Sequence, residues 1–146
     1  MIPSCTADGD LPPGIHWADW SEFQGRFGTT PYRMELMQGL RAALDSLRVA
    51  GCQTAYIDGS FVTAKVVPGD YDVCWDETGV NVALLDPVLR TFAGKRAAQK
   101  AKFKGELFPS TWDADGRGST FLQLFQTNRD SGLPKGIVAL DLRGLP

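Results

Sequence analysis

The longest amphipathic pattern of the chain follows Thr30 and Pro31. Leucine and alanine side chains recur there at the three- and four-residue spacing of a single helix face, at Leu36, Leu40, Ala43, Leu44 and Leu47. Thr30 is a suitable N-cap, Pro31 fits the first turn, and Gly51 lies just beyond the pattern. The pattern therefore predicts a helix that begins at Pro31 and ends before Gly51.

A stripe of aromatic residues precedes this helix, at Trp17, Trp20, Phe23 and Phe27. Their spacing of three, three and four positions places these side chains on one face of a short helix, and we expect that face to lie in the core. Residues 1–14 are rich in proline, glycine and aspartate. They predict an irregular N-terminal arm that docks at most through Leu11 and Ile15.

Short apolar runs downstream predict strands over residues 53–58, 71–75, 105–108 and 136–142. Residues 86–103 are rich in alanine, arginine and lysine and predict a helix. A short helix over residues 121–125 has Ser119 or Thr120 near its start. Two helices followed by strands that alternate with helices predict an α/β (α+β) fold. We expect a small mixed β-sheet with helices packed around it, and a single domain over residues 15–146.

The composition fits one soluble globular domain, because 43% of the 146 residues are hydrophobic and 22% are charged. A balance of 15 basic against 17 acidic residues excludes a surface that follows a nucleic-acid backbone throughout, but is compatible with a local basic patch. The three cysteines and single histidine suggest neither a disulfide framework nor a zinc site. No basic and apolar leader is visible, and no apolar run approaches about 20 residues, so we expect a cytoplasmic protein.

One segment is strongly basic. Six basic residues and no acidic one lie between Pro87 and Gly105, namely Arg90, Lys95, Arg96, Lys100, Lys102 and Lys104. The apolar stripe of the helix predicted here is continued by Arg96, so a cation occupies a position where a core residue is expected. This helix is therefore predicted to face a cleft or an anionic partner.

Two carboxylates lie beside the strand predicted over residues 71–75. Residues i and i+2 of a strand point to the same face about 6.5–7 Å apart, so Asp70 and Asp72 converge on one small volume. Like charges at this distance repel each other unless a cation lies between them. Divalent cations that prefer carboxylate oxygens can clamp the attacking and leaving oxygens of a nucleotidyl transfer. The pair therefore predicts a Mg²⁺ site, which Mn²⁺ also fits.

Gly59 and Ser60 close the preceding strand, and a helical turn through Lys65 is predicted to follow. Glycine lets the backbone approach a ligand closely, while free N–H groups and the Ser60 hydroxyl attract an anion. A triphosphate tail fits such a site. Lys65, or a cation from the Arg96 and Lys100 face of the basic helix, would add positive charge for the same phosphates.

The spacing of these residues resembles a known signature. Gly59-Ser60, nine intervening residues and Asp70-Tyr71-Asp72 are similar to the motif of the nucleotidyltransferase superfamily related to DNA polymerase beta. In that superfamily the Gly-Ser pair grips the nucleotide phosphates and the two aspartates bind the metals. Over nearly its whole length the chain also looks like one uncharacterised bacterial family of small stand-alone nucleotidyltransferase-like proteins, in the segments LPPGIHWADWSEF, YIDGSFVTAKVVPGDYDVCWD and GLPKGIVALDL.

The resemblance implies a third carboxylate on a later strand, beside the first two. Glu106 is the first choice because it lies in the short strand after the basic helix, although the superfamily more usually has aspartate there. The competitors are Asp113, Asp115 and Asp141. The implied catalytic and metal-binding set is Asp70, Asp72 and Glu106, with the third carboxylate assisting deprotonation. The implied phosphate-binding set is Gly59, Ser60 and Lys65.

The function implied by the resemblance is Mg²⁺-dependent transfer of a nucleoside monophosphate from a nucleoside triphosphate, such as ATP, to a protein or RNA acceptor. By analogy with small members of the superfamily, we expect a partner protein in a toxin–antitoxin or phage-defence pair. The chain carries no large additional domain for an acceptor, so the acceptor is expected to be small or held by a partner. The alternative is a non-catalytic binding module that keeps the fold and acts as an antitoxin or regulatory subunit.

Other polar residues near these motifs have structural interpretations. Asp58 is expected to be a turn residue at the end of a strand, Cys74 a small buried residue, and His16 a packing or capping residue. The run from Asp113 to Gly118 is expected to form a mobile surface loop or a lid. The role of Lys135, which leads into the last predicted strand, stays open.

Overall fold

A mixed five-stranded β-sheet forms the centre of the molecule in the computed structural model, which describes residues 1–146. The strands are β1 (Gly14–Ala18), β2 (Thr54–Asp58), β3 (Tyr71–Trp75), β4 (Gly105–Pro109) and β5 (Gly136–Asp141). Their order across the sheet is β1-β5-β2-β3-β4. β1 runs parallel to β5 and β3 runs parallel to β4, whereas β2 is antiparallel to both of its neighbours.

Four helices pack around this sheet: α1 (Trp20–Phe27), α2 (Pro31–Val49), α3 (Ala93–Phe103) and α4 (Phe121–Phe125). The predicted α+β fold with a small mixed sheet is therefore confirmed. The prediction for α2 is also confirmed, because the Thr30 side chain caps the helix by accepting a hydrogen bond from the Arg33 N–H and the leucine face is buried. None of the helices combines the length and the apolar character that crossing a lipid bilayer requires.

The two faces of the sheet carry different side chains. Ile57, Val73 and Leu107 point to one face and are fully buried in the main hydrophobic core, to which α1 and α2 also contribute. Residues one position away point to the opposite face, where Cys74 and Phe108 join a smaller apolar cluster with α4. Cys74 is fully buried, as expected. The main core thus supports the sheet from one side, while the other face is available for polar side chains near the strand ends.

The aromatic stripe is divided between two elements, so the prediction of a single helix containing all four residues was wrong. Trp17 lies in β1 and is 53% exposed, whereas α1 begins at Trp20. Asp19 caps α1, because its side chain accepts a hydrogen bond from the Glu22 N–H at 2.8 Å. β1 forms through parallel pairing with β5, and helical spacing in the local sequence does not reveal this distant partner.

The N-terminal arm docks through Leu11, as predicted, and also through Ile2, and both side chains are buried. The arm continues into the sheet, because the Gly136 N–H donates to the Leu11 carbonyl at 3.0 Å. Ile15 does not dock; it lies in β1 and is 37% exposed. His16 Nε2 lies 2.6 Å from the Pro12 carbonyl oxygen, which agrees with a packing role.

The basic segment is not one continuous helix as predicted. A 3-10 turn, Pro87–Arg90, comes first, and α3 follows. In the first turn of α3, Gly94, Lys95 and Arg96 have φ values of 62°, 57° and 63°, which lie in the left-handed region. Glycine adopts this conformation readily, whereas each non-glycine residue costs about 1–2 kcal/mol. The left-handed turn breaks the helical register that the sequence pattern assumed.

Candidate functional site

Three of the predicted carboxylates meet where β3 and β4 begin. One oxygen atom from each of Asp70, Asp72 and Glu106 lies within 4.8 Å of the other two. Asp72 lies directly opposite Glu106 in the parallel pairing of β3 with β4, and Asp70 precedes β3 by one residue. The structure thus brings together the three carboxylates that the sequence analysis selected.

The competitors for the third position lie elsewhere. Asp113 and Asp115 belong to an exposed loop, where both carboxylates accept hydrogen bonds from N–H groups of the same loop. Asp141 ends β5 and forms an ion pair with Arg143 at 2.8 Å. None of the three competitors belongs to the cluster. Glu106 does belong to it, because the β3–β4 register places this residue beside Asp72.

The cluster concentrates negative charge around Asp72. Burial and three neighbouring carboxylates raise the pKa of Asp72 to about 8. In order of effect, these neighbours are Asp70, Asp58 and Glu106. The pKa of Asp70 is also raised, first by burial and then by the charge of Glu106. A proton or a cation must offset this repulsion, and oxygen ligands so close together suit a divalent cation such as Mg²⁺ or Mn²⁺.

Glu106 is held by two cations from α3. Its Oε1 accepts a hydrogen bond from Arg96 Nε at 3.0 Å, and Lys100 Nζ lies 3.3 Å from the same oxygen. Burial alone would raise the pKa of Glu106, but the hydrogen bonds and charges of Arg96 and Lys100 outweigh burial and lower it. Two of the basic residues that the sequence assigned to a cleft or an anionic partner are therefore directed at this carboxylate.

The loop after β2 lies against Asp72. Gly59 has a φ of 90°, and a Cβ atom added there would lie 3.1 Å from Asp72 Oδ2 and 3.2 Å from the Asp72 backbone nitrogen. Both the conformation and the close approach therefore favour glycine. A helical turn follows Gly59, as predicted, but it is a 3-10 turn of three residues that begins at Ser60, so its predicted extension to Lys65 was wrong. Ser60 Oγ accepts a hydrogen bond from the Gly69 N–H at 3.2 Å, which ties the loop together.

Arg33 of α2 fixes the same loop from the interior, and the sequence analysis missed this residue. Its side chain donates hydrogen bonds to four backbone carbonyls at 2.5–3.2 Å, those of Phe27, Phe61, Thr63 and Lys65. Arg33 is only 4% exposed. The loop has no strand partner for these carbonyls, so the guanidinium group satisfies them instead. Three of the four partners lie about 30 residues away in sequence, and no local pattern indicates the contact.

A cleft of about 1020 Å³ lies beside the carboxylates, between the N-terminal arm, the loop after β2 and the segment that connects α4 to β5. Gly59, Ser60, Lys65, Asp70 and Asp72 all line this cleft, whereas Glu106 does not. The charged residues of the cleft are Asp8, Asp10, Asp58, Asp70, Asp72 and Asp130, with Lys65, Arg129 and Lys135. An anionic triphosphate would therefore need additional positive charge to bind here, which a divalent cation at the aspartates would supply.

Asp58 and Lys135 form an ion pair in the wall of the cleft. The Oδ1–Nζ distance is 2.8 Å, and the two side chains are 7% and 17% exposed. Asp58 lies opposite Asp72 in the β2–β3 pairing, so it extends the row of carboxylates across the sheet. Burial raises the pKa of Asp58, and Lys135 opposes this shift. The interpretation of Asp58 as a simple turn residue was wrong, because its partner is 77 positions away in sequence.

Comparison with known proteins identifies the family of this chain but not what that family does. Searches of curated proteins and of solved structures found no significant match. A model of the family of unknown function DUF6932 matches residues 3–141. Because this match covers nearly the whole chain, the chain belongs to the DUF6932 family.

Proposed function

We propose that the protein is a cytoplasmic, divalent-cation-dependent nucleotidyltransferase that moves a nucleoside monophosphate from a nucleoside triphosphate to a protein or RNA acceptor. The observation that carries the proposal is the clustering of Asp70, Asp72 and Glu106 within 4.8 Å of one another. The Gly59-Ser60 loop, which approaches Asp72, provides a place for phosphates beside this cluster. The resemblance to the nucleotidyltransferase superfamily related to DNA polymerase beta points to the same chemistry.

Each predicted site residue has a place in this proposal. Asp70 and Asp72 hold Mg²⁺ or Mn²⁺, with Glu106 beside them, and the Gly59-Ser60 loop receives the triphosphate. When bound, the cation neutralises the phosphates and lowers the pKa of the acceptor hydroxyl. Lys65, which is exposed in the cleft, adds a point charge for the same phosphates.

The transfer step exchanges one phosphorus–oxygen bond for another. The acceptor hydroxyl oxygen forms a bond to the α-phosphorus, the bond from that phosphorus to the oxygen bridging the β-phosphate breaks, and pyrophosphate leaves. The hydroxyl proton passes to solvent water, because Asp70 and Asp72 are engaged with the cation, which also makes the hydroxyl more acidic. Glu106 is poorly suited to accept this proton, because its pKa is lowered and it is therefore a weaker base. This assignment differs from the sequence expectation, which gave the proton to the third carboxylate.

One observation favours the alternative function. Arg96 and Lys100 already neutralise Glu106, with the Arg96 side chain 2.8 Å and the Lys100 side chain 3.3 Å from the same carboxylate oxygen. A carboxylate that is paired with protein cations has less charge to offer a metal ion. The second proposal is therefore a non-catalytic module that keeps the nucleotide cleft and acts as an antitoxin or regulatory subunit in a toxin–antitoxin or phage-defence pair.

A transfer assay separates the two proposals. The protein is incubated with ATP, CTP, GTP or UTP, each radiolabelled at the α-phosphate, together with Mg²⁺ or Mn²⁺ and bacterial protein or RNA. The enzyme is expected to transfer the label to an acceptor and to release pyrophosphate. Asp70→Asn and Asp72→Asn should lower the rate at least about 100-fold, whereas Glu35→Gln, on the exposed surface of α2, should not. Nucleotide binding without pyrophosphate release would support the module and contradict the enzyme.

A further inference from the structure

A second surface borders the carboxylates on the side of β4. The cleft extends from Asp72 toward β2 and β5, where Asp58 and Lys135 lie, and Glu106 does not line it. On the other side, Arg96 joins Glu106 to a group of aromatic rings, because its guanidinium carbon also lies 5.5 Å from the centre of the Phe108 ring. The row of carboxylates therefore separates the nucleotide cleft from an aromatic region on the same face of the sheet.

We call this region the aromatic surface, and it consists of Phe92, Phe108, Phe121 and Trp112. The Phe108 ring stacks on Phe121 at 4.1 Å and on Phe92 at 6.1 Å, with interplanar angles of 6° and 14°. Trp112 packs against Phe92 at 5.2 Å and is 50% exposed. The inner rings fix the position of an indole that still presents half of its surface to solvent.

Three cations that form no ion pair lie close in sequence to residues of the aromatic surface. Arg90 and Lys95 lie two and three residues on either side of Phe92, Arg117 lies in the loop after Trp112, and all three cations are exposed. None of them forms an ion pair, unlike Arg96 and Lys100.

The acidic residues near the aromatic surface accept hydrogen bonds from neighbouring groups of the protein. Asp113 and Asp115 accept hydrogen bonds from N–H groups of their own loop, and Glu77 bonds to Thr111. These hydrogen bonds leave the carboxylates charged, so the positive charge offered to a partner lies on the other side of the aromatic surface, at Arg90 and Lys95, in a segment from Pro87 to Gly105 that contains no acidic residue.

We propose that the aromatic surface and its cations bind single-stranded RNA, and that this RNA is the acceptor of the transfer. The inference rests on the proposed function and names its acceptor class. Exposed aromatic rings stack on bases of any sequence, and unpaired lysine and arginine side chains contact the phosphates between them. A strand held here would bring its terminal hydroxyl to the carboxylates from the side opposite to the nucleotide cleft.

RNA fits this surface better than a protein does. Trp and Arg are also common at the centres of protein interfaces, where neighbouring charges are usually depleted. Here the exposed indole packs on Phe92, and the segment around Phe92 carries Arg90 and Lys95 without an acidic residue, as expected for a surface that binds a polyanion with planar bases. The Arg96 guanidinium also lies over the Phe108 ring, so that planar groups continue from Trp112 to Glu106.

The test measures binding of a fluorescently labelled, unstructured RNA oligomer to the full chain by anisotropy, in EDTA and without nucleotide, at two salt concentrations. Wild-type protein should bind, and the affinity should fall as salt rises.

Trp112→Ala and Trp112→Leu should each weaken binding about tenfold or more, and Leu keeps an apolar contact with Phe92 if Ala impairs folding. Arg90→Gln with Lys95→Gln should weaken binding and reduce its dependence on salt. Trp17→Ala is the matched control, because Trp17 is 53% exposed in β1 at the opposite edge of the sheet.

The outcomes also separate this inference from the proposed function. No RNA binding by wild-type protein, or equal binding by Trp112→Leu and Trp17→Ala, would overturn the inference. Transfer of the label to a protein acceptor, at a rate that Trp112→Leu does not change, would also overturn the inference. It would leave the nucleotidyltransferase proposal intact. RNA binding that depends on Trp112, without label transfer from any nucleotide, would support the aromatic surface as an RNA-binding site. The same result would overturn the role of the RNA as acceptor, together with the proposed enzymatic function.

Discussion

The charge of Asp72 opposes folding in the metal-free protein, because folding buries this carboxylate among other acids. Asparagine keeps the size of the side chain and removes the charge. In EDTA near neutral pH, Asp72→Asn is expected to raise the free energy of unfolding by about 1–3 kcal/mol, measured by urea denaturation. Glu35→Gln, at an exposed position of α2, is the control and should change little. A marked loss of stability in Asp72→Asn would instead identify Asp72 as a structural residue.

The same carboxylate predicts how stability depends on pH. Its pKa is about 8 in the folded protein and 3.8 without the protein environment, so the folded state binds this proton more tightly. The resulting stabilisation is complete below a pH of about 4 and is lost as the pH rises to about 8, by up to about 1.4 kcal/mol per pH unit. In EDTA, thermal unfolding should therefore occur at lower temperature as the pH rises through this range. Saturating Mg²⁺ should reduce the decrease, and an identical decrease in Asp72→Asn would contradict the assignment.

Gly59 is the glycine whose replacement bears most directly on the phosphate loop. Gly59→Ala is expected to cost about 1–3 kcal/mol of stability, because alanine disfavours a φ of 90° and the added Cβ presses on Asp72. It should also weaken nucleotide binding, measured by isothermal titration calorimetry with ATP and Mg²⁺. Gly69→Ala is the matched control within the same loop, since its φ is not positive and no atom lies within 4 Å of its added Cβ. Equal effects of the two substitutions would argue against a special role for Gly59.

At the level of the elements, local signals predicted what local interactions determine. α2 could be predicted because the Thr30 cap, the Pro31 first turn and the leucine face lie within one segment. β1 could not, because it exists only through its pairing with β5, about 120 residues later. The left-handed turn at Gly94–Arg96 was also missed, because an alanine-rich and basic composition indicates an ordinary helix.

The same distinction applies to the candidate site. Asp70 and Asp72 could be paired from their two-residue spacing, and Glu106 could be selected because its strand follows the basic helix. The contacts that were missed join distant segments: Arg33 reaches the phosphate loop, and Asp58 reaches Lys135. Such contacts depend on the complete arrangement of the sheet and α2, which no short sequence motif predicts.

The position of the phosphate loop relative to α2 depends on Arg33. Arg33→Lys keeps the charge but cannot reproduce the several N–H donors that contact the carbonyls of Phe61, Thr63 and Lys65. We expect a stability loss of about 2 kcal/mol and faster amide hydrogen exchange over residues 61–65, measured by mass spectrometry. Arg48→Lys, a change in a surface ion pair of the same helix, should leave exchange in the loop unchanged. Unchanged exchange over residues 61–65 in Arg33→Lys would contradict this role.

The charged residues that add up to a net charge of −2 are unevenly distributed over the whole molecule. The cleft carries six aspartates and three cations, whereas Arg90 and Lys95, which form no ion pair, lie on either side of Phe92 in the aromatic surface beyond the carboxylates. The acidic side suits a nucleotide only together with a divalent cation, and the basic side suits a polyanion without one. Two substrates of one transfer reaction would thus approach the same row of carboxylates from opposite sides.

Crystals grown with Mn²⁺ and a non-hydrolysable nucleoside triphosphate test the central proposal most directly, through the anomalous scattering of manganese. The proposal predicts an anomalous peak within coordination distance of Asp70 and Asp72 oxygens, with the phosphates on the Gly59-Ser60 loop, and no peak in crystals of Asp72→Asn. Ordered Asp70 and Asp72 side chains with no ion between them, and a nucleotide bound elsewhere or absent, would contradict it.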